Sequence, residues 1–170
     1  CHNDFLAVIK GLRDAEPGDV LVIDSQSSDR AVSGELFPTE ALRKGLAGIV
    51  NDGPCRDTAI VRTLGLPYYA RSIHCRAGTT THPGATQVTI SCGGVPVDPG
   101  DIIVGDDDGL VIATADLFAT LIPLSEQIQE KEDRLLQRMQ EGQGLLELMN
   151  FDDHYQAVEE GRESSLEFLV

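Results

Sequence analysis

The first seventy residues repeat one grammar three times: apolar residues at helical spacing, a turn, then a short apolar run. In residues 4–15, Phe5, Leu6, Val8, Ile9 and Leu12 fall at helical spacing before Pro17-Gly18-Asp19 breaks the pattern. Val20–Asp24 follows as a β-branched run suited to a strand buried on both faces. Residues 34–44 resume helical spacing, Gly45 supplies a C-cap, and residues 46–50 form a second apolar run ended by Asn51-Asp52-Gly53-Pro54. A short helix over 58–64 and a strand over 66–70 complete the third round. Strands alternating with helices in this way require a parallel sheet with right-handed crossovers.

Beyond residue 76 the grammar changes. Residues 76–85 are rich in Gly and Thr and read as a long loop. Apolar runs over 87–90, 95–97, 101–104 and 110–113 are separated by Gly93-Gly94, Pro99-Gly100 and Asp106-Asp107-Asp108-Gly109. That punctuation belongs to consecutive hairpins rather than to further crossovers. From Ala115 the chain reads as helix, with Leu117, Leu121, Leu124, Ile128, Leu135 and Met139 at a period of three to four and Pro123 as a kink or restart. The division expected is one α/β domain over residues 1–142 and an acidic extension over 143–170, with a frayed tail over 159–167.

Charge and composition narrow the function classes. The 170 residues carry 13 basic and 28 acidic side chains, a net −15, which disfavours a nucleic-acid surface because phosphate neutralisation needs clustered Lys and Arg. Residues 125–170 hold 12 acidic against 4 basic side chains, a net −8, so the surplus is concentrated at the C-terminal end. No apolar run approaches the roughly 18 residues of a membrane span. The start of the chain also lacks the basic-then-apolar order of a signal peptide. Cys1, Cys55, Cys75 and Cys92 form no CxxC pair, and His2, His74, His82 and His154 are scattered, so zinc and thioredoxin-type readings have no signature. Reduced thiols in a cytoplasmic protein are the expectation.

Four places carry polar chemistry. In Asn51–Asp57, at the end of a buried strand, Arg56 offers a guanidinium fork for a carboxylate or enolate oxygen. Asp57 offers hard oxygen for Mg²⁺ or Mn²⁺. Asp57 is equally placed to be the N-cap of the following helix, with Arg56 merely balancing nearby acids. At Ser33-Gly34-Glu35-Leu36-Phe37, exposed amides at a helix start suit a small anion, while Ser33 or Gly34 as a plain cap explains the same residues. Asp106–Gly109 lacks the EF-hand spacing and reads as a hairpin turn; Thr79–His82 lacks a P-loop ending and reads as loop.

These pieces, taken in order, resemble the family of regulator of ribonuclease activity A and the 4-hydroxy-4-methyl-2-oxoglutarate aldolases. The resemblance is carried by Pro17–Asp24, Gly34–Phe37, Gly45–Asp57, Gly65–Arg71 and Gly93–Gly109, at matching separations over residues 18–142. It implies a three-layer ββα sandwich of the swivelling-domain type with a C-terminal helix, assembled as a homotrimer or homohexamer with the active site at a subunit interface. It also implies an opening helix and strand ahead of residue 1, whose lack would leave a sheet edge open.

For function, the resemblance implies a divalent-metal-dependent lyase that cleaves a small 2-keto acid to pyruvate and decarboxylates oxaloacetate. Arg56 and Asp57 fall on the family's catalytic Arg-Asp pair, with Asp57 as the Mg²⁺ anchor. Gly34, Glu35, Leu36 and Phe37 fall on the amides that hold the substrate carboxylate, together with Arg56. Glu130 or Glu132 would be the carboxylate lent by a neighbouring subunit. The regulator branch lacks the acidic member of the pair, which this chain keeps, so a non-catalytic protein-binding regulator is the alternative. A methyltransferase, a third label in this family, would need a glycine-rich loop after the first strand that is absent here.

Overall fold

A computed structural model of the chain describes residues 2–169. The chain divides into two compact units, Cys1–Thr114 and Ala115–Val170. The helix that begins at Ala115 belongs to the second unit.

The first unit opens with α1 (Leu6–Asp14), β1 (Val20–Asp24), α2 (Leu36–Lys44), β2 (Gly48–Cys55), α3 (Thr58–Val61) and β3 (Tyr68–Ile73). The three strands form a parallel sheet in the order β1-β2-β3, with Val22 opposite Val50 and Val50 opposite Tyr69. Two antiparallel hairpins follow: β4 (Ile90–Cys92) with β5 (Val95–Val97), and β6 (Ile102–Gly105) with β7 (Leu110–Ala113). Gly45 closes α2 at φ 79°, a left-handed conformation that glycine adopts without steric cost.

Period-two alternation along the strands builds two cores. Ile23 and Ile49 pack with Val8 and Leu12 of α1 and Ala41 of α2. The intervening Val20, Val22 and Val50 pack against Cys92, Val97, Ile90, Ile103 and Leu110 of the hairpins. The unit is thus helices, parallel sheet and hairpins in three layers, the ββα sandwich that the resemblance implies.

Four local expectations change. Asn51–Pro54 does not end the second strand: β2 continues to Cys55 because β3 pairs along it, with a register shift between Asn51 and Pro54. The third strand starts later, at Tyr68, and the fourth forms over Ile90–Cys92 rather than 87–90. Residues 62–64 lie beyond α3 in turn. The long loop after β3 is fixed by Asp4, whose carboxylate accepts hydrogen bonds from the Thr81 and His82 N–H groups and the Thr79 hydroxyl.

In the second unit, α4 (Ala115–Gln140) runs without restarting through Pro123. A 3₁₀ turn (Leu145–Leu148) and α5 (Phe151–Glu159) follow. The expected frayed tail instead folds back. The Glu167 N–H donates to Asn150 Oδ1 at 2.7 Å, the Asn150 N–H donates to the Glu167 carbonyl, and Met149 bridges Phe168. None of the described helices is long and apolar enough to cross a membrane.

Candidate active site

β2 delivers Arg56 and Asp57 to the carboxyl end of the sheet, where ligands bind in open α/β folds. Ser33 bridges Cys55, and the Arg56 N–H donates to the Ser33 carbonyl at 3.1 Å. These contacts bring the start of α2 against the end of β2. Gly34 is buried there, and a Cβ on it would fall on Asp57 Oδ2 and 2.8 Å from Arg56 Nε. Only glycine allows this approach. The Glu35 N–H donates to Asp57 Oδ2 at 3.2 Å, and Arg56 Nε stands 3.7 Å from the same oxygen.

Asp57 does occupy the N-cap position of α3, but its side chain makes no capping bond. Its carboxylate turns instead to a residue 22 positions earlier. Its backbone is left-handed, φ 58°, which is uncommon outside glycine although Asp tolerates it better than most. Ser33 does not cap α2 either. The N-cap is Glu35, and the Ser33 hydroxyl is buried without a hydrogen-bond partner among the described residues.

Leu36 and Phe37 open α2, so their N–H groups have no intrahelical partner and lie at the positive end of the helix dipole. The Leu36 side chain is exposed, whereas the Phe37 ring packs edge-on against Phe5 at 5.8 Å. Any role of Phe37 in ligand binding is therefore its amide's. Gly34, Glu35, Arg56 and Asp57 are drawn into one corner, with Leu36 and Phe37 adjoining it along the helix start. Glu130 and Glu132 sit on α4, exposed.

Among the described residues no group of three or more His, Cys, Asp or Glu side chains is placed to hold a metal ion. Asp57 offers a single, partly exposed carboxylate, and only its Oδ2 is bonded to the described protein. Mg²⁺ characteristically keeps several waters and uses one or two carboxylates plus substrate oxygens. The donor set fits that mode and not a closed protein cage.

Two further features were not legible beforehand. Asp52 is held by Arg71 Nε and by the Gly93 N–H at 2.8 Å, and both keep its carboxyl below the usual carboxylate range against the upward push of burial. Their separations, 19 and 41 residues, leave no local signal. The pair lines a cleft of about 640 Å³ whose walls are otherwise mainly serine and glycine. Ser33 Oγ, Asn51 Oδ1 and the Tyr68 hydroxyl are buried and without a hydrogen-bond partner among the described residues. Asp106 accepts from the Asp108 and Gly109 N–H groups, so the acidic run is spent on the β6–β7 turn.

The profile of the RraA-like family, described as Aldolase/RraA, matches residues 1–112. A protein of Halalkalibacterium halodurans with the provisional name 4-hydroxy-4-methyl-2-oxoglutarate aldolase is 43% identical over 111 residues, covering 65% of this chain. The chain spans about half, 53%, of that relative's length. Among solved structures, the RNA-processing inhibitor RraA of Thermus thermophilus superposes with TM-score 0.62 at 31% identity, over 65% of this chain and 68% of that one. RraAS2 of Streptomyces coelicolor, described as an unusual member of the RNase ES inhibitor RraA family, gives 0.70 at 32% identity, over 79% and 68%. With the profile covering most of the chain and the three layers matching these structures, the chain belongs to the RraA-like (Aldolase/RraA) family.

Proposed function

We propose that the protein is a divalent-metal-dependent class II aldolase that releases pyruvate from 4-hydroxy-4-methyl-2-oxoglutarate-type substrates and decarboxylates oxaloacetate. The observation that carries this reading is the corner itself. Gly34 lets a helix start, a guanidinium and a carboxylate converge, and the Asp57 side chain is turned into that corner instead of capping its own helix.

The chemistry needs a grip on a 2-keto acid and a sink for the charge that develops as the carbon–carbon bond breaks. The Leu36 and Phe37 amides bind the substrate carboxylate at the helix start. Arg56 presents a fixed cation to the enolate oxygen. Asp57 would hold Mg²⁺, and the ion would supply Lewis-acid stabilisation of that oxygen. The substrate's 4-hydroxyl loses its proton to solvent water, the bond electrons move onto the keto group, and the resulting enolate is protonated to pyruvate. A carboxylate of Glu130 or Glu132 from a neighbouring copy would complete the site in a trimer or hexamer working in the cytoplasm.

The regulator reading is favoured by the structural likeness to the two RraA proteins. It predicts capture of a ribonuclease partner and no metal-dependent turnover. A keto-acid panel with Mg²⁺, repeated with EDTA, separates the two: pyruvate release that EDTA abolishes supports the aldolase, and no release at all contradicts it.

A further inference from the structure

The loop that follows β3 has no part in the chemistry described so far, but it grips both ends of the segment that carries the corner. At the near end the Ala31 N–H donates to the Arg76 carbonyl at 2.8 Å, and the Gly78 N–H donates to the Ala31 carbonyl at 3.0 Å. At the far end the grip passes through Phe5. Its N–H donates to the Thr79 carbonyl at 2.9 Å. Its ring meets the Phe37 ring with centroids 5.8 Å apart and planes at 62°, the edge-to-face geometry that aromatic pairs favour.

Phe5 has little room to move. A Cβ on Gly78 would stand 3.2 Å from Phe5 Cδ1 and 2.9 Å from the Asn3 carbonyl oxygen, so the loop backbone lies directly against the ring. The preceding Asp4 is fixed through both oxygens, one receiving the Leu6 N–H and the other the Thr81 and His82 N–H groups. Both rings also pack onto the core that α1 and α2 share with the sheet. The ties of Glu35 to Asp57 and of Arg56 to Ser33 lie inside the corner and shift with it. Phe5 ties the start of α2 to α1 and to the loop, which lie outside it.

We propose that Phe5 is a positioning residue: braced by the loop over 78–82, its ring holds Phe37 and so fixes the helix-start amides that bind the substrate carboxylate. Phe5 acts through Phe37 and never touches the substrate. In its consequence for kinetics the inference rests on the 2-keto-acid reading, because that reading says what the amides hold. A carboxylate held in ground state and transition state alike contributes uniform binding, so loosening its cradle raises KM far more than it lowers kcat.

The test uses the full chain with Phe5→Leu, which keeps an apolar side chain and removes the ring edge, Phe37→Leu, and the double variant. Amide hydrogen exchange followed by NMR reads the brace without any ligand. Its reporters are the Glu35 N–H, bonded to Asp57, and the Thr39 N–H, bonded to the Glu35 carbonyl, with Val50 in β2 as the control. In Phe5→Leu, exchange at Glu35 and Thr39 quickens about tenfold while Val50 keeps its wild-type rate, the mark of a local opening. For oxaloacetate with Mg²⁺, KM rises about tenfold and kcat falls by less than about threefold. The double variant is no worse than the poorer single one, because the same contact is broken in either case.

Wild-type exchange at Glu35 and Thr39 in folded Phe5→Leu overturns the proposal. So does an equal quickening at Val50, which would report a general loss of stability. KM unchanged in an active Phe5→Leu, or additive KM losses, overturns it as well. Absence of turnover in the wild type counts against the aldolase reading alone, and the exchange rates then decide the brace.

Discussion

Asp57 receives the backbone N–H of Glu35 at 3.2 Å, across 22 residues of chain, and so joins the end of β2 to the start of α2. The bond exists because Gly34, the residue before Glu35, has no side chain to keep the two apart.

Gly34→Ala tests that closeness. The added Cβ meets a carboxylate and a guanidinium, and overpacking of this kind costs about 1–3 kcal/mol. Urea unfolding should show a loss in that range. Pyruvate release should fall at least about tenfold, because the corner must open to admit the methyl group. A variant with wild-type stability and turnover would show that the approach is incidental.

Arg56→Lys tests geometry apart from charge. An ammonium keeps the positive sign and loses the planar fork, so kcat/KM for oxaloacetate should drop about tenfold or more while stability hardly moves. The small stability effect follows from exposure: the Arg56–Asp57 pair is about one-third exposed on each side, where ion pairs contribute little. Steady-state kinetics alongside thermal melting reads both quantities.

Asp4 contributes to the acid limb of stability. Burial pushes its carboxyl up, but bonds from the Leu6, Thr81 and His82 amides and the Thr79 hydroxyl prevail and hold it well below the ordinary 3.8. A depressed folded-state value means that the contribution is complete above about pH 3.8 and is lost as pH falls below it. Asp4→Asn should lower the melting temperature at pH 7 and flatten its decline below about pH 4, where the unfolded-state carboxyl takes up its proton. An unchanged acid limb in urea titrations would contradict the assignment.

The cysteines should separate by reactivity. Cys55 and Cys92 are buried, and burial pushes both thiols up, so little thiolate forms at pH 8. Cys75 is exposed. Iodoacetamide followed by peptide mass spectrometry should label Cys75 quickly, and Cys55 and Cys92 only after unfolding.

Much of the architecture is legible because it is local. The β-branched run over Val20–Asp24 and the turn signals between later strands need no distant partner to declare themselves. Asn51-Asp52-Gly53-Pro54 misleads because its composition is that of a turn, while β1 and β3 on either side hold it as strand. The 159–167 segment misleads in the same way, since Asn150 and Leu148 hold its continuation. The corner's residues could be named in advance; their convergence could not. Asp57 as a cap and Asp57 as a ligand differ only in which N–H the carboxylate finds, and that is set by packing. Tyr68 and the Asp52–Arg71 pair carry no short-range signal at all.

The most direct test of the account is Mg²⁺-dependent pyruvate release from 4-hydroxy-4-methyl-2-oxoglutarate and oxaloacetate by wild type and Asp57→Ala, each with and without EDTA. Turnover by the wild type that EDTA abolishes is expected, with a loss of at least about a hundredfold in Asp57→Ala, the scale of removing one group that stabilises developing charge. Undiminished turnover in folded Asp57→Ala would contradict it.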